Sequence, residues 1–335
     1  MSRKLRLSVL DQSPIISGHT PAQALRATIE LAQAAEKLGF HRYWLAEHHN
    51  MRGLADPCPE ILVGQVAAAT STIRVGTGGV LLPYYSALKV AEIFRMHEAL
   101  HPGRIDLGIG RAPGGDGRTA QAINPQAFSA IDQFPVQVQE LVGWLDEALP
   151  EQHPFADIRA MPSGATSPEV WLLGSSDYSA RLAAYLGLRF AFAHFINAHG
   201  GDAVTRGYRH EYRASARDAH PVSMVCTFAL CAETTEEAER LASSIDHRRL
   251  LMALGREGPI ATVDEAHAFP YSNRDRLIIE RDRARAVIGT PELVKEKLLS
   301  IVDAYEADEL MIITITGDYA SRLHSYELLA GTFDL

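Results

Sequence analysis

The sequence predicts an α/β fold, a (β/α)8 TIM barrel with an insertion between strands 7 and 8. Three observations carry that prediction. Short apolar runs of strand length alternate with amphipathic helical segments along most of the chain, and strands that alternate with helices pair in parallel through right-handed crossovers. The strand-like runs number eight, the count at which a parallel sheet closes on itself. The chain has 335 residues, 47% of them apolar and 22% charged, enough to build one barrel domain over residues 1–335 with a single large core. Periodicity does not report closure, so a doubly wound open sheet remains the competing arrangement.

The elements follow in order. LRLSVL, residues 5–10, is the first strand. Thr20-Pro21-Ala22-Gln23 then offers an N-cap threonine, a proline at the first helical position and a glutamine at the capping-box position. Leu25, Ile29, Ala32 and Ala35 fall on one face of the helix that follows, and Gly39 stands where its C-terminus favours a left-handed residue. Residues 42–46 form the second strand and residues 59–69 a helix; residues 73–82 form the third strand and residues 86–100 a helix. Residues 105–109 are the fourth strand, before a helix over 134–149; residues 170–173 are the fifth, before a helix over 179–186. Residues 189–193 are the sixth strand, before a helix over 201–213, and residues 221–231 are the seventh. Thr234-Thr235-Glu236-Glu237 reads as a second capping box, Thr290-Pro291-Glu292 starts a further helix, and residues 310–316 are the eighth strand. Between them, residues 240–285 break the alternation, mixing charged residues with Gly255, Gly258, Pro259 and Pro270. This stretch is expected to be an insertion that covers the site as a lid.

Composition excludes several classes of function. A formal charge of −9 without a basic stripe argues against a nucleic-acid partner, whose phosphates require clustered Lys and Arg. No uninterrupted apolar stretch is long enough to span a membrane, and the apolar run near the N-terminus is too short for a signal peptide, so a cytoplasmic protein is expected. Cys58, Cys226 and Cys231 show no CxxC spacing; they predict neither a disulfide framework nor a thiolate metal site, and read as small buried hydrophobes.

In a barrel, chemistry collects where strands end and βα loops begin. The second strand ends in Glu47-His48-His49-Asn50. Neighbouring residues on a strand point to opposite faces, so the two histidines are poorly placed for one metal ion and no metal is expected. They serve either the site or neighbouring strand-end groups. The glycines of Gly76-Thr77-Gly78-Gly79 are costly in a strand unless a ligand or another backbone approaches closely. Gly108-Ile109-Gly110-Arg111-Ala112-Pro113 imitates a dinucleotide fingerprint, but Pro113 replaces its last glycine and Pro113-Gly114-Gly115 reads as a turn where that fingerprint requires a helix. Arg111 therefore suits an oxyanion such as phosphate, the plainer alternative being a surface arginine paired with Asp116. Ser175, Ser176 and Ser179 surround a helix start, where free N–H groups attract an anion; ordinary capping is the competing reading.

Taken in this order and spacing, these junctions resemble those of the bacterial luciferase-like monooxygenases. AEKLGF (residues 35–40), HPGRIDLGIGR (101–111) and VIGTPELV (287–294) extend the resemblance over nearly the whole chain. It implies a barrel enzyme that uses reduced FMN and O2 to oxygenate a small-molecule substrate. His48 would stand beside the flavin as acid, base or orienting donor, since imidazole titrates near neutral pH, with Glu47 close to the same site. Thr77, Gly78 and Gly79 would lie beneath the flavin ring with a cis bond between the two glycines, and Arg111, Gly174, Ser175, Ser176, Tyr178 and Ser179 would bind the phosphate end. Gly110 stands where the luciferases carry a reactive cysteine, which puts light emission from a long-chain aldehyde in doubt. No NAD(P)H fingerprint is evident, so a separate NAD(P)H:flavin reductase is expected to supply the cofactor. The resemblance also implies a homodimer, to which Leu88, Ala91 and Met96 could contribute. A deazaflavin-dependent hydride transferase and a non-catalytic flavin-binding protein remain open as alternatives.

Overall fold

The computed structural model describes residues 5–111 and 115–335, so Pro113 and Gly114 of the predicted turn lie outside the described residues. Nine parallel strands are found among them: β1 (Arg6–Asp11), β2 (Arg42–Leu45), β3 (Arg74–Leu81), β4 (Ile105–Gly110), β5 (Glu169–Gly174), β6 (Arg189–Ala193), β7 (Ser223–Cys231), β8 (Ala286–Gly289) and β9 (Glu309–Ile313). Eight close a barrel: β1 to β7 pair in sequence, β7 pairs with β9, and β9 pairs with β1. Closure excludes the open sheet and with it the dinucleotide-fold alternative. The extra strand, β8, pairs with Phe228–Cys231 at the far end of β7, overlapping the stretch that β9 covers only at Phe228.

Strand alternation divides the apolar side chains into two cores. Leu7, Val9, Tyr43, Leu45 and Val75 face outward and pack under the helices. Leu10, Trp44, Trp171, Met224 and Met311 face inward. In the helix Pro21–Lys37 the buried face is centred on Ala24, Leu31, Ala32 and Ala35, with Leu25 and Ile29 only partly buried beside it.

Thr20 and Gln23 form the full capping box. Thr234 does not. Its side chain accepts from the Glu237 N–H, but the Glu237 carboxylate turns to Arg240 at 2.7 Å and leaves the reciprocal half unmade. The stretch expected as an insertion is largely helical, with helices Thr235–Ala253, Val263–Ala268 and Asn273–Arg283 preceding β8. Thr262/Glu265 and Ser272/Asp275 start the last two with complete capping boxes.

A buried ionic layer plugs the N-terminal end of the barrel. Arg42, the first residue of β2, is 1% exposed; its Nε meets Glu309 at 2.7 Å and its Nη1 meets Asp106 at 2.6 Å. Arg74 reaches Asp106 at 2.6 Å, Arg189 pairs with Glu169, and the Ser8 hydroxyl donates to Glu309. Burial alone would raise the Asp106 carboxyl, yet the Arg42 and Arg74 guanidiniums hold it below the usual range. The Trp44 indole N–H donates to Asp106 at 2.8 Å, and the Trp44 and Trp171 rings stand edge to face 5.5 Å apart. Together the indoles roof the ionic layer.

Candidate functional site

Above those indoles, at the C-terminal end of the strands, lies a cavity of about 290 Å³. Its floor is Leu10, Trp44, Cys226 and Met311, and its rim is made of strand ends. Of the residues singled out from sequence, Glu47, His48, Gly78, Gly79, Arg111, Gly174, Ser175, Ser176 and Ser179 line it. Thr77 does not: it is fully buried in the barrel wall, its hydroxyl donating to the Gly108 carbonyl at 2.9 Å. Tyr178 stands outside the cavity but touches it through Arg111, whose guanidinium lies 4.0 Å from the Tyr178 ring centroid.

Glu47 is 3% exposed and its two carboxylate oxygens serve three donors. Oε1 accepts from Tyr85 Oη and bonds His49 Nε2, both at 2.6 Å, while Oε2 accepts from the Leu81 N–H at 2.8 Å. The carboxylate thereby ties the end of β2 to the end of β3. His49 is consumed by this tie and by an edge-to-face contact with Tyr84. His48 points the other way, into the cavity, with Nδ1 3.4 Å from the Ala46 carbonyl. Burial, helped by the nearby Arg248 charge, pushes the His48 imidazole down to about 4. The sequence-based expectation of titration near neutral pH is therefore corrected: His48 is neutral there, one ring nitrogen donating and the other accepting.

The Gly78–Gly79 bond is cis. A Cβ on Gly76 would stand 2.4 Å from the Asp106 carbonyl oxygen and one on Gly79 2.6 Å from that of Gly108. Close approach of the β4 backbone, rather than a ligand, therefore accounts for these two glycines. At Gly110 a Cβ would meet only Leu81 among the described residues, at 3.7 Å, so those residues leave room for a side chain.

Arg111 forms no ion pair with Asp116. That carboxylate accepts from Thr119 Oγ1 at 2.6 Å, from the Arg118 and Thr119 N–H groups and from Asn50. Arg111 has no carboxylate partner among the described residues. Across the rim, Ser176 is the N-cap of the helix Asp177–Leu186 and makes no side-chain cap hydrogen bond, so simple capping does not occupy it. The Ser175 carbonyl accepts from Asn197 Nδ2 at 3.1 Å, which fixes the loop, and Gly174 is needed because a Cβ there would fall 2.7 Å from Ser179 Cβ. The rim thus presents a guanidinium, two hydroxyls and the N-terminal end of a helix, a set that suits a phosphate.

Sequence reading missed Gln12, which follows β1 directly, and Phe195 and Ile196, which follow β6. Their position just past a strand was the available signal. It also missed a second chamber of about 450 Å³ that shares Gln12, His48, Phe195 and Ile196 with the first and is walled in part by Ile245, Arg248, Arg249, Met252, Arg281 and Arg285. Cys226 and Cys231 are buried, and burial raises both thiols. Ala91 is fully buried and is thereby removed from any outward contact; Met96 is 55% exposed. Among the described residues no helix is long and apolar enough to cross a membrane.

Comparison with known proteins places this geometry. The family described as luciferase-like monooxygenase matches residues 5–306. The luciferase-like monooxygenase of Escherichia coli strain K12 is 39% identical over 330 residues, 97% of this chain and 96% of the relative. The N-acetyl-S-alkylcysteine monooxygenase of Bacillus subtilis strain 168 is 37% identical over 332 residues, 97% of each chain. The crystal structure of apo-MsnO8 matches with a TM-score of 0.89 at 38% identity, covering 99% of this chain and 98% of that one.

Proposed function

The chain belongs to the luciferase-like monooxygenase family, and on that premise we propose that it is a monooxygenase using reduced FMN and O2 to oxygenate a small organic molecule. One observation supports this reading above the others: an arginine without a carboxylate partner among the described residues and an uncapped helix start converge on the rim of the cavity at the C-terminal end of the barrel. Arg111, Ser175, Ser176 and the N–H groups opening the helix Asp177–Leu186 would hold the phosphate of FMN, with Tyr178 bracing Arg111 and with Gly174 and Ser179 shaping the loop. Gly78, Gly79 and Trp44 would lie against the ring system, and Thr77 would support them from within the wall. The reduced flavin supplies the electrons that activate oxygen. His48, neutral at pH 7, orients the reacting groups by hydrogen bonding. Glu47 holds the ends of β2 and β3 in place and keeps His49 turned from the cavity. The apolar lining excludes water, and the helical stretch over residues 240–285 acts as the lid of a single-domain enzyme. A separate NAD(P)H:flavin reductase supplies the cofactor in the cytoplasm, and the protein works as a homodimer, Met96 being the exposed member of the predicted contact.

The reading is tested by supplying the protein with FMN, NADH, a flavin reductase and a panel of small organic substrates under 18O2. Transfer of one labelled oxygen to a product is the expected result. Turnover with a reduced deazaflavin in the absence of O2 would replace it with hydride transfer; flavin binding with no turnover on any member of a broad panel would favour the non-catalytic alternative.

A further inference from the structure

The second chamber gathers four arginines, where the first has Arg111 alone. Arg248, Arg249, Arg281 and Arg285 line it against a single carboxylate, Asp282. Three of the four are occupied. Arg281 and Arg285 share Asp282 Oδ1 at 3.1 and 3.0 Å. Arg249 donates to the Asp282 carbonyl at 3.3 Å and lies 4.9 Å from the Phe228 ring centroid. Arg248 is different: it makes no hydrogen bond or ion pair with a described residue, and its Nη1 is buried without a partner. Glu257 is the one carboxylate whose charge reaches it, and that residue lies exposed on the surface. Burial and the adjacent Arg249 pull the Arg248 guanidinium down to about 10, so it stays charged at neutral pH.

Arg248 is half-buried, with Nη1 shielded from water, and a shielded donor of a charged group is normally paired because leaving it without a partner is costly. Apart from Gln12 and His48 the remaining wall is apolar, with Phe228, Ile245, Met252, Ile313 and Ile315 among it. This combination suits a molecule with one anionic head and an apolar body. His48 lies between the two cavities and lines both, so a molecule anchored at Arg248 can extend past His48 toward the cavity assigned to the flavin.

We propose that the second chamber is the substrate site and that Arg248, backed by Arg249, anchors a carboxylate, making the substrate a small organic acid with an apolar body. The site for the flavin is the one proposed above, and the inference rests on that reading for the chemistry done there but not for binding of the acid. A phosphate-bearing ligand is less suited to this chamber, since one free guanidinium matches a single negative charge and the helix-start donors stand at the other rim.

Calorimetric titration of the flavin-free protein with octanoate and with its uncharged counterpart octanamide tests this without any turnover. Octanoate should bind at least tenfold tighter than octanamide. Arg248→Met, which keeps the side-chain volume, should weaken octanoate at least tenfold, leave octanamide within twofold and leave FMN affinity unchanged. Equal binding of the two ligands by the wild-type protein, or unchanged octanoate affinity in Arg248→Met, overturns the proposal. So does competition between octanoate and FMN together with loss of FMN binding in the variant, which would make the chamber part of the flavin site. If circular dichroism shows the variant unfolded, the preference of the wild-type protein for octanoate over octanamide decides. Failure of the wild-type protein to bind FMN, with the octanoate preference intact, would instead remove the flavin reading and leave the acid site standing.

Discussion

At the N-terminal end of the barrel Arg42 meets Glu309 and Asp106 at 2.7 and 2.6 Å, whereas at the C-terminal end Arg111 and Arg248 meet no carboxylate among the described residues. The same eight strands supply both ends. The charged groups of the ionic layer below Trp44 and Trp171 are saturated: Arg42, Asp106, Glu309, Glu169, Arg74 and Arg189 all have partners, and the Trp44 indole N–H is used as well, while the Trp171 indole N–H is left without one. Above those indoles polar side chains face a cavity with hydrogen-bonding capacity to spare. The difference teaches where each kind of mutation should act. Breaking a filled network leaves a buried charge exposed to its own desolvation cost, while removing an unfilled group costs the fold little and costs a ligand its partner.

The largest effect is expected at the saturated end. Arg42→Ala leaves Glu309 without a cationic partner and Asp106 with Arg74 alone, and should lower unfolding free energy by about 3–5 kcal/mol. Urea unfolding checks it. A loss below about 1 kcal/mol, the range of an exposed pair, would erase the contrast between the two ends.

His48 sharpens the comparison through pH. Its ordinary value is 6.5 and the fold holds it at about 4. Above pH 6.5 both the folded and unfolded chains carry a neutral ring, so it makes no pH-dependent difference. Between 6.5 and about 4 the unfolded chain takes up a proton that the fold refuses, and stability falls by up to about 3 kcal/mol. Replacing His48 with Gln should remove that part of the acid loss. Asp56, buried and raised to about 7, works in the opposite direction: its contribution is present below 3.8 and is lost as pH rises through about 7. The comparison of variant with wild type over pH 4–7 isolates His48 because Asp56 is common to both.

In turnover, His48→Ala should slow the reaction by about 10²-fold, within the range for a lost orienting or proton-handling group, while FMN affinity stays within about threefold because the phosphate rim lies elsewhere. His49→Ala should do the reverse and cost stability, since Glu47 loses one of its donors. A rate profile with a rising limb near pH 6.5 that disappears in His48→Ala would reinstate the acid–base role. The smallest effect belongs to the serines: replacing Ser175 and Ser176 together should weaken FMN by about 1–2 kcal/mol, two neutral hydrogen bonds, with the melting temperature of the flavin-free protein little changed because neither serine caps its helix.

Much of this architecture was legible in the sequence, because alternation and capping are local. The eight barrel strands and the Thr20/Gln23 box could be read from neighbours a few residues apart. The strand β8 could not, since its four residues run straight into the next helix start and gain strand character only by pairing with Phe228–Cys231. Residues 240–285 were legible as an insertion between strands 7 and 8 but not in their conformation, although Thr262/Glu265 and Ser272/Asp275 carry the same capping signal as Thr20/Gln23. In the site, strand ends were found where a motif marked them, at Glu47-His48, Arg111 and Ser175-Ser176, and missed where none did, at Gln12 and Phe195. Arg248 was invisible for another reason: what distinguishes it is the lack of a partner in three dimensions, which no spacing records. Ala91 shows the converse, an apolar residue in a surface helix that the fold turns inward.

The division of labour between the two ends is tested most directly by thermal melts of wild type and Arg111→Ala, each with and without saturating FMN. The flavin-free melting temperatures should agree within about a degree, as expected for a group with no buried partner to strand. FMN should raise the melting temperature of the wild type and raise that of the variant far less, because binding to the folded state alone stabilises by an amount set by affinity and the lost charge-assisted hydrogen bonds weaken it by about 1.5–3 kcal/mol. A variant that melts several degrees lower without FMN yet keeps the full FMN-induced rise would contradict the account, for Arg111 would then be holding the fold and not the phosphate.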